Sequence, residues 1–206
     1  MKNILLIIFL MGTANVFGQN AKHAFDATTW KAPYHLPIDG WTIERFEIPI
    51  SFAPDIPYSG VEDIRFAKGW GDAKSGEYWT YAFLWYLNGK PEINERALEK
   101  NLMEYYNGLL ASNIEKRKIQ QEKLIFSKAS VKKTTTYTGD ANTYTAKIMM
   151  LDYMQQQPIT LNCIIHTRYC AGQNYSFIFY EISPRPLTDS VWINLNKLWE
   201  DFKCSN

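Results

Sequence analysis

The run EYWTYAFLWYL, residues 77–87, limits the fold of this chain more than any other stretch. With Gly76 before it, it sets six aromatic side chains within twelve positions. Side chains of a strand alternate between two faces, so Trp79, Tyr81, Phe83, Trp85 and Leu87 point one way and Tyr78, Thr80, Ala82, Leu84 and Tyr86 the other. Both sets are largely apolar. A strand apolar on both faces belongs inside a sheet covered on both sides, which makes core packing the main use of these rings and ligand contact the lesser one.

The flanking segments supply the rest of a sheet. WTIERFEIPI, from Trp41, sets Ile43, Arg45 and Glu47 against Thr42, Glu44, Phe46 and Ile48 and reads as a strand. SFAPDIPYSG is a connection punctuated by Pro and Gly, VEDIRFAKGW is a strand, and GDAKSG is the turn into the aromatic run. A helix follows, with Asn94 as its N-cap, Glu95 near its positive end, Ile93 stapled to Leu98, and a stripe through Leu102, Tyr105 or Tyr106, and Leu109. Gly108 weakens its last turn, and fraying is expected after Leu110. ASNIEKRKIQQEK, residues 111–123, is a charged extension or link whose charges form a solvated face. Four strands are expected at 127–137, 143–153, 159–169 and 175–182, with TGDAN and AGQN as hairpin turns. The chain closes with TDSVWINLNKLWEDFK, a helix capped by Thr188 that buries Val191, Trp192, Leu195, Leu198, Trp199 and Phe202.

This order predicts a single α+β domain over residues 41–206, an antiparallel sheet with a helix on each face, behind an irregular leader at 19–40. With INERALEKNLMEYYNGLL after the hairpin and SVWINLNKLWEDFK after the last strand, the order resembles the Mog1/PsbP-like α/β/α sandwich over about residues 41–204. The resemblance is topological. It implies an accessory or binding role and transfers no functional residue.

The first residues, MKNILLIIFLMGTANVFGQN, run from Lys2 through an apolar stretch to the small residues Gly12, Ala14 and Gly18. That is the layout of a secretory signal peptide over 1–18, too short to span a bilayer, with processing near Gly18 and a mature start near Gln19. No cysteine ends it, which disfavours a lipoprotein. The protein is therefore expected to be exported, to the periplasm or outside the cell. Processing takes one lysine from 22 basic residues and leaves the rest balanced against 21 acidic ones. A neutral chain is a poor partner for nucleic acid, which is bound by neutralising phosphates. No second apolar run is long enough to be a transmembrane segment.

Cys163, Cys170 and Cys204 all lie in the last quarter. Cys163 and Cys170 are seven residues apart on one expected strand, so they point to opposite faces roughly 23 Å apart and cannot bridge. A returning strand of about 26 Å followed by a helix of about 21 Å brings Cys204 back beside Cys170. A Cys170–Cys204 disulfide is predicted, with Cys163 reduced in the core beside Leu161 and Ile165.

No Gly-x-Ser-x-Gly elbow, His-Glu-x-x-His helix or phosphate loop occurs; GWGD at 69–72 lacks the Lys and Ser/Thr of the last. The three histidines, His23, His35 and His166, are scattered, so no metal or other cofactor is predicted. Cys163 and His166 fall on opposite strand faces and cannot cooperate. His166 and Arg168 share a face and suit either an anion or a solvated stripe. Glu62 with Asp63, and Asp72 with Glu77, are the acids nearest the hairpin; their ordinary role is to sit exposed, and their catalytic one would be paired-carboxylate hydrolysis of a glycan. Trp70, between glycines, is less natural as core than Trp79 or Trp85. The leading expectation is thus an exported, non-enzymatic binding or accessory module with Trp70, Tyr58, Asp72 and Glu77 in its contact region. Its partner would be a small molecule, a glycan or an envelope protein. A small envelope glycan hydrolase using the hairpin acids is the alternative.

Overall fold

The computed structural model describes residues 25–37, 40–170, 172 and 174–204. The expected signal peptide and its processing point lie outside them, as does His23. Nine strands and three α-helices follow in chain order among the described residues. They are β1 (Tyr34–His35), β2 (Thr42–Ile48), β3 (Gly60–Phe66), β4 (Tyr81–Asn88), α1 (Glu95–Ala111), α2 (Ile114–Arg117), β5 (Lys128–Lys133), β6 (Asn142–Asp152), β7 (Gln157–Tyr169), β8 (Tyr175–Ser183), α3 (Val191–Glu200) and β9 (Lys203–Cys204). Seven strands form one antiparallel sheet in the order β2-β3-β4-β8-β7-β6-β5, and β1 pairs with β9 apart from it. Two meanders, β2-β3-β4 and β5-β6-β7-β8, join where Phe83 faces Tyr180 and Trp85 faces Ile178.

The aromatic run is interior, as its two apolar faces require: every residue of β4 except Asn88 is buried. Tyr81, Phe83 and Trp85 pack with Leu98, Leu102, Tyr105 and Tyr106 of α1. Ala82, Leu84 and Tyr86 pack on the opposite face with Trp192, Leu195, Leu198 and Trp199 of α3. The strand begins at Tyr81, four residues later than expected, because Trp79 has φ +54° and turns the chain there. Residues 67–80 instead form a series of tight turns closed by Trp79 N–H on the Trp70 carbonyl at 2.9 Å.

The α/β/α sandwich expected from the order of elements is overturned: the molecule is mostly β. Its helices have 17, 4 and 10 residues, and β6 and β7 alone have 11 and 13. Seven strands span about 29 Å and β7 about 43 Å, whereas α3 is about 15 Å long and about 10 Å wide. A lone helix on a face this size is a patch and not a layer. The order of elements hid this because it counts helices without measuring the area they cover.

Other cover comes from the segment expected to be an irregular leader. Its Tyr34 and Leu36 are buried against the α3 face, and β1 pairs Tyr34 with Cys204. Cys170 and Cys204 lie at disulfide distance, with Cα atoms 5.9 Å apart, as the strand and helix lengths predict. Cys163 is free and buried with Leu161 and Ile165. Asn94 caps α1 as expected, its side chain accepting from Ala97 N–H at 2.9 Å. Thr188 does not cap α3: the N-cap position is Ser190, whose side chain makes no capping bond, and Asp189 before it accepts from Val191 N–H at 3.0 Å.

Both sheet edges are guarded against pairing with other chains. Lys128, Lys132 and Lys133 line β5, and Val131 N–H donates to Glu99 of α1 at 2.9 Å. At the other edge β2 carries Glu44, Arg45 and Glu47. Among the described residues no helix is long and apolar enough to cross a membrane.

Candidate functional site

The α1 face of β2 and β3 is left partly uncovered, and a cleft of about 320 Å³ opens there. Strand alternation places Phe46, Ile64 and Phe66 on this face. Trp70, carried by the tight turns after β3, stacks on Phe66 with ring centroids 4.4 Å apart. Phe52, from the connection after β2, stands edge-on to Tyr105 of α1 at 5.2 Å. Trp79, Tyr81, Leu109 and Tyr153 complete the apolar walls, and Glu44, Asn113, Lys116 and Arg117 are the polar groups at the cleft. Phe46, Phe52, Phe66 and Trp70 are half-buried; Lys116 and Arg117 are exposed.

Phe52 reaches this position because α1 has a glycine where the connection crosses it. A Cβ at Gly108 would overlap the carbonyl of Phe52. The glycine that weakens the helix by composition is therefore the one that lets the cleft wall approach it.

Behind the wall lies Glu62, fully buried on the same face of β3 as Ile64 and Phe66. Tyr105 O–H donates to it at 2.8 Å, and its second oxygen has no partner among the described residues. Burial pushes its carboxyl up to about 8, so it carries a proton at neutral pH. Asp63, its neighbour, faces the opposite way. It is ion-paired with Arg65, lies 3.2 Å from the Arg45 guanidinium, and accepts from Tyr34 O–H at 3.0 Å.

Of the residues singled out in the sequence, Trp70 lies in the cleft and the others do not. Glu77 braces the turns, accepting from Gly69 N–H at 3.0 Å, and Asp72 accepts from Lys74 N–H at 2.9 Å. Tyr58 is core, edge-on to Trp85 at 5.9 Å, with its hydroxyl on the Glu92 carbonyl at 3.2 Å. Neither acid pair faces itself across a groove: Glu62 and Asp63 are on opposite sheet faces, and Asp72 and Glu77 are tied to backbone N–H groups of their own loop. Among the described residues no group of His, Cys, Asp and Glu is placed to hold a metal ion.

A second polar cluster lies on the α3 face. His166 and Arg168 do meet an anion there, and it is the chain's own Asp140. His166 Nδ1 is 2.7 Å and Arg168 is 3.3 Å from that carboxylate, which also accepts from Thr143 O–H at 2.7 Å. The other ring nitrogen of His166 lies 3.3 Å from Glu181, which is fully buried and has no aligned hydrogen bond among the described residues. Burial opposes the charged form of His166, but the carboxyl groups of Asp140 and Glu181, one beside each ring nitrogen, outweigh it and hold the imidazole above its ordinary value. Burial likewise works against an ionised Asp140, and its donors, His166 first, keep it below the usual range. Glu181 is raised, chiefly by burial.

Most of the cleft was missed by sequence reasoning because Phe46, Phe52, Tyr105 and Tyr153 come from segments that only the fold brings together. Trp70 was the one local signal, an aromatic set between glycines. No family model matches the chain, and neither curated proteins nor solved structures show significant similarity to it.

Proposed function

We propose that this protein is an exported binding module, without chemistry of its own, that works through the aromatic cleft. The observation that carries this reading is the four half-buried rings, Phe46, Phe52, Phe66 and Trp70, set around an open hollow. A chain gains by burying such rings, and in β4 this one buries every ring. A ring-faced ligand supplies the missing cover, and flat rigid side chains hold it at small entropic cost. A small molecule, a sugar ring or an aromatic side chain of an envelope protein suits such a surface. Export is supported by the signal-like order at 1–18 and by the Cys170–Cys204 pair, which is of the kind kept in the periplasm or outside the cell.

The reading is tested by ligand-observed NMR of the mature protein against a panel of ring-bearing small molecules, with Trp70→Ala as control. Binding by the native protein that is weakened in the variant, with both proteins giving the same circular dichroism, supports it. A panel with no Trp70-dependent binder overturns it.

A further inference from the structure

We propose that the cleft takes a small anionic amphiphile, with a flat apolar body lying between the aromatic walls and an acidic group meeting Lys116 and Arg117. This rests on the reading of the cleft as a binding site and adds the chemistry of the occupant.

The walls set the body. Its cover is aromatic from several directions, with Trp70 stacked on Phe66 and Phe52 set edge-on to Tyr105, and a volume of about 320 Å³ is at the small end of ligand clefts. A hydrated inorganic ion gains nothing from such walls.

The mouth sets the charge. Lys116 and Arg117 are adjacent on α2, and among the described residues neither takes part in an ion pair. The position of Arg117 is fixed by the wall itself. The Arg117 guanidinium lies over the Tyr153 ring at 5.5 Å, and the Arg117 carbonyl accepts from the Gln156 side chain at 3.1 Å. Asn113 adds a neutral amide to the same lining. Among the described residues Glu44, from β2, is the single acid of the lining against these two cations, so the lining they form is net positive. Glu62, behind the wall beside Tyr105, is protonated at neutral pH and does not repel an anion. A cationic head would meet Glu44 alone and be opposed by both bases.

The test uses three probes that share one ring body: 2-naphthoate, neutral 2-naphthol and 2-naphthylmethylammonium. They are titrated into the mature protein near neutral pH and low salt. The expected result is that naphthoate binds about fivefold or more tighter than naphthol, and the ammonium weakest. The preference should fade at high salt. In the double variant Lys116→Gln with Arg117→Gln, both exposed positions, naphthoate should lose its advantage over naphthol measured on the same variant. Equal binding of naphthoate and naphthol, with no response to the double variant, overturns the anionic head and leaves the cleft reading standing. Preference for the ammonium also overturns it and makes Glu44 the dominant charge. If none of the three binds in a manner weakened by Trp70→Ala, the cleft reading itself fails for this ring body and the proposal falls with it.

Discussion

The carboxylate of Asp140, between β5 and β6, accepts a 2.8 Å hydrogen bond from the indole N–H of Trp199 on α3. The same indole stacks on His166 at 5.4 Å and on Phe179 at 5.1 Å, and Arg168 lies over it at 4.2 Å. One ring thus ties the last helix to β7, β8 and the β5–β6 turn. Around it Asp140 and Glu181 stand against His166 and Arg168, so the charge of the cluster depends on the protons that His166 and Glu181 hold.

This gives a pH dependence. The folded values of His166 and Glu181 are raised, so their contributions are fully present at low pH and are lost as pH rises through the folded values. Asp140 is lowered and acts the other way, losing its contribution only on acidification. Thermal stability should therefore fall as pH rises above 6.5, the ordinary imidazole value, through the higher value of folded His166. In His166→Gln the fall over the same range should be smaller. Melting temperatures of both proteins, measured from mildly acid to mildly alkaline pH, check this. Parallel curves would show that His166 carries no such linkage.

Glu62 gives a second, separable signature on the opposite face of the sheet. Its carboxyl is raised from 4.5 to about 8, so its contribution is complete below 4.5 and is eroded steadily up to about 8. At neutral pH the erosion is on the order of 3 kcal/mol relative to acid. Glu62→Gln keeps an acceptor for Tyr105 and removes the titration. The variant should be more stable than the native protein at neutral pH by about 1–3 kcal/mol, with the gap closing towards about pH 4. Urea unfolding at the two pH values decides it, and a variant less stable at both would show that the carboxyl is needed for something glutamine cannot supply.

The alternation within residues 77–87 was enough to place β4 inside a sheet, because two apolar faces leave no other position for it. Cys170 and Cys204 were legible for a similar reason: strand rise and helix rise are fixed lengths, and they return the chain to its starting level. The left-handed turn at Trp79 was not legible, since a bulky residue holds φ +54° only when tertiary bonds such as that to the Trp70 carbonyl enclose it. Helix coverage was misjudged because periodicity reports that a helix exists and not how much sheet it spans. The cleft was mostly invisible for a different reason. Phe46 and Phe66 look like ordinary inward residues of an alternating strand, and nothing local tells that Phe52 and Trp70 stop short of closing over them. Asp140, in a Gly-Asp turn, looks like turn chemistry until Trp199 arrives from the other end of the chain.

The three cysteines should be distinguishable by reactivity. Burial pushes the Cys163 thiol well above its ordinary value, so neither access nor ionisation favours its reaction. A thiol reagent should label nothing in the native, unreduced protein and one cysteine, Cys163, after denaturation. Replacing Cys170 and Cys204 together with serine opens a loop with a sequence separation of 34 and should destabilise the fold by about 3–4 kcal/mol. Peptide mapping of the labelled sites checks the first statement and denaturant unfolding the second. A native protein that labels rapidly at Cys163 would mean that β7 opens locally.

Gly108 links stability to the cleft. It lies within α1, where glycine is less favourable than alanine by about 1 kcal/mol, so Gly108→Ala at an open position would be stabilising. Here the added Cβ would meet the Phe52 carbonyl, a backbone atom that cannot swing aside, and the connection carrying Phe52 must move away from α1. Such overpacking costs about 1–3 kcal/mol, which exceeds the propensity gain. The variant is expected to be less stable, and Phe52, displaced from its edge-on contact with Tyr105, should reshape one wall of the cleft. A ring-bearing probe should then bind more weakly, while Trp199 and the His166 cluster on the opposite face keep their native NMR shifts. A variant more stable than the native protein would show that the connection yields freely at Phe52, and that this wall is not held by its contact with the helix.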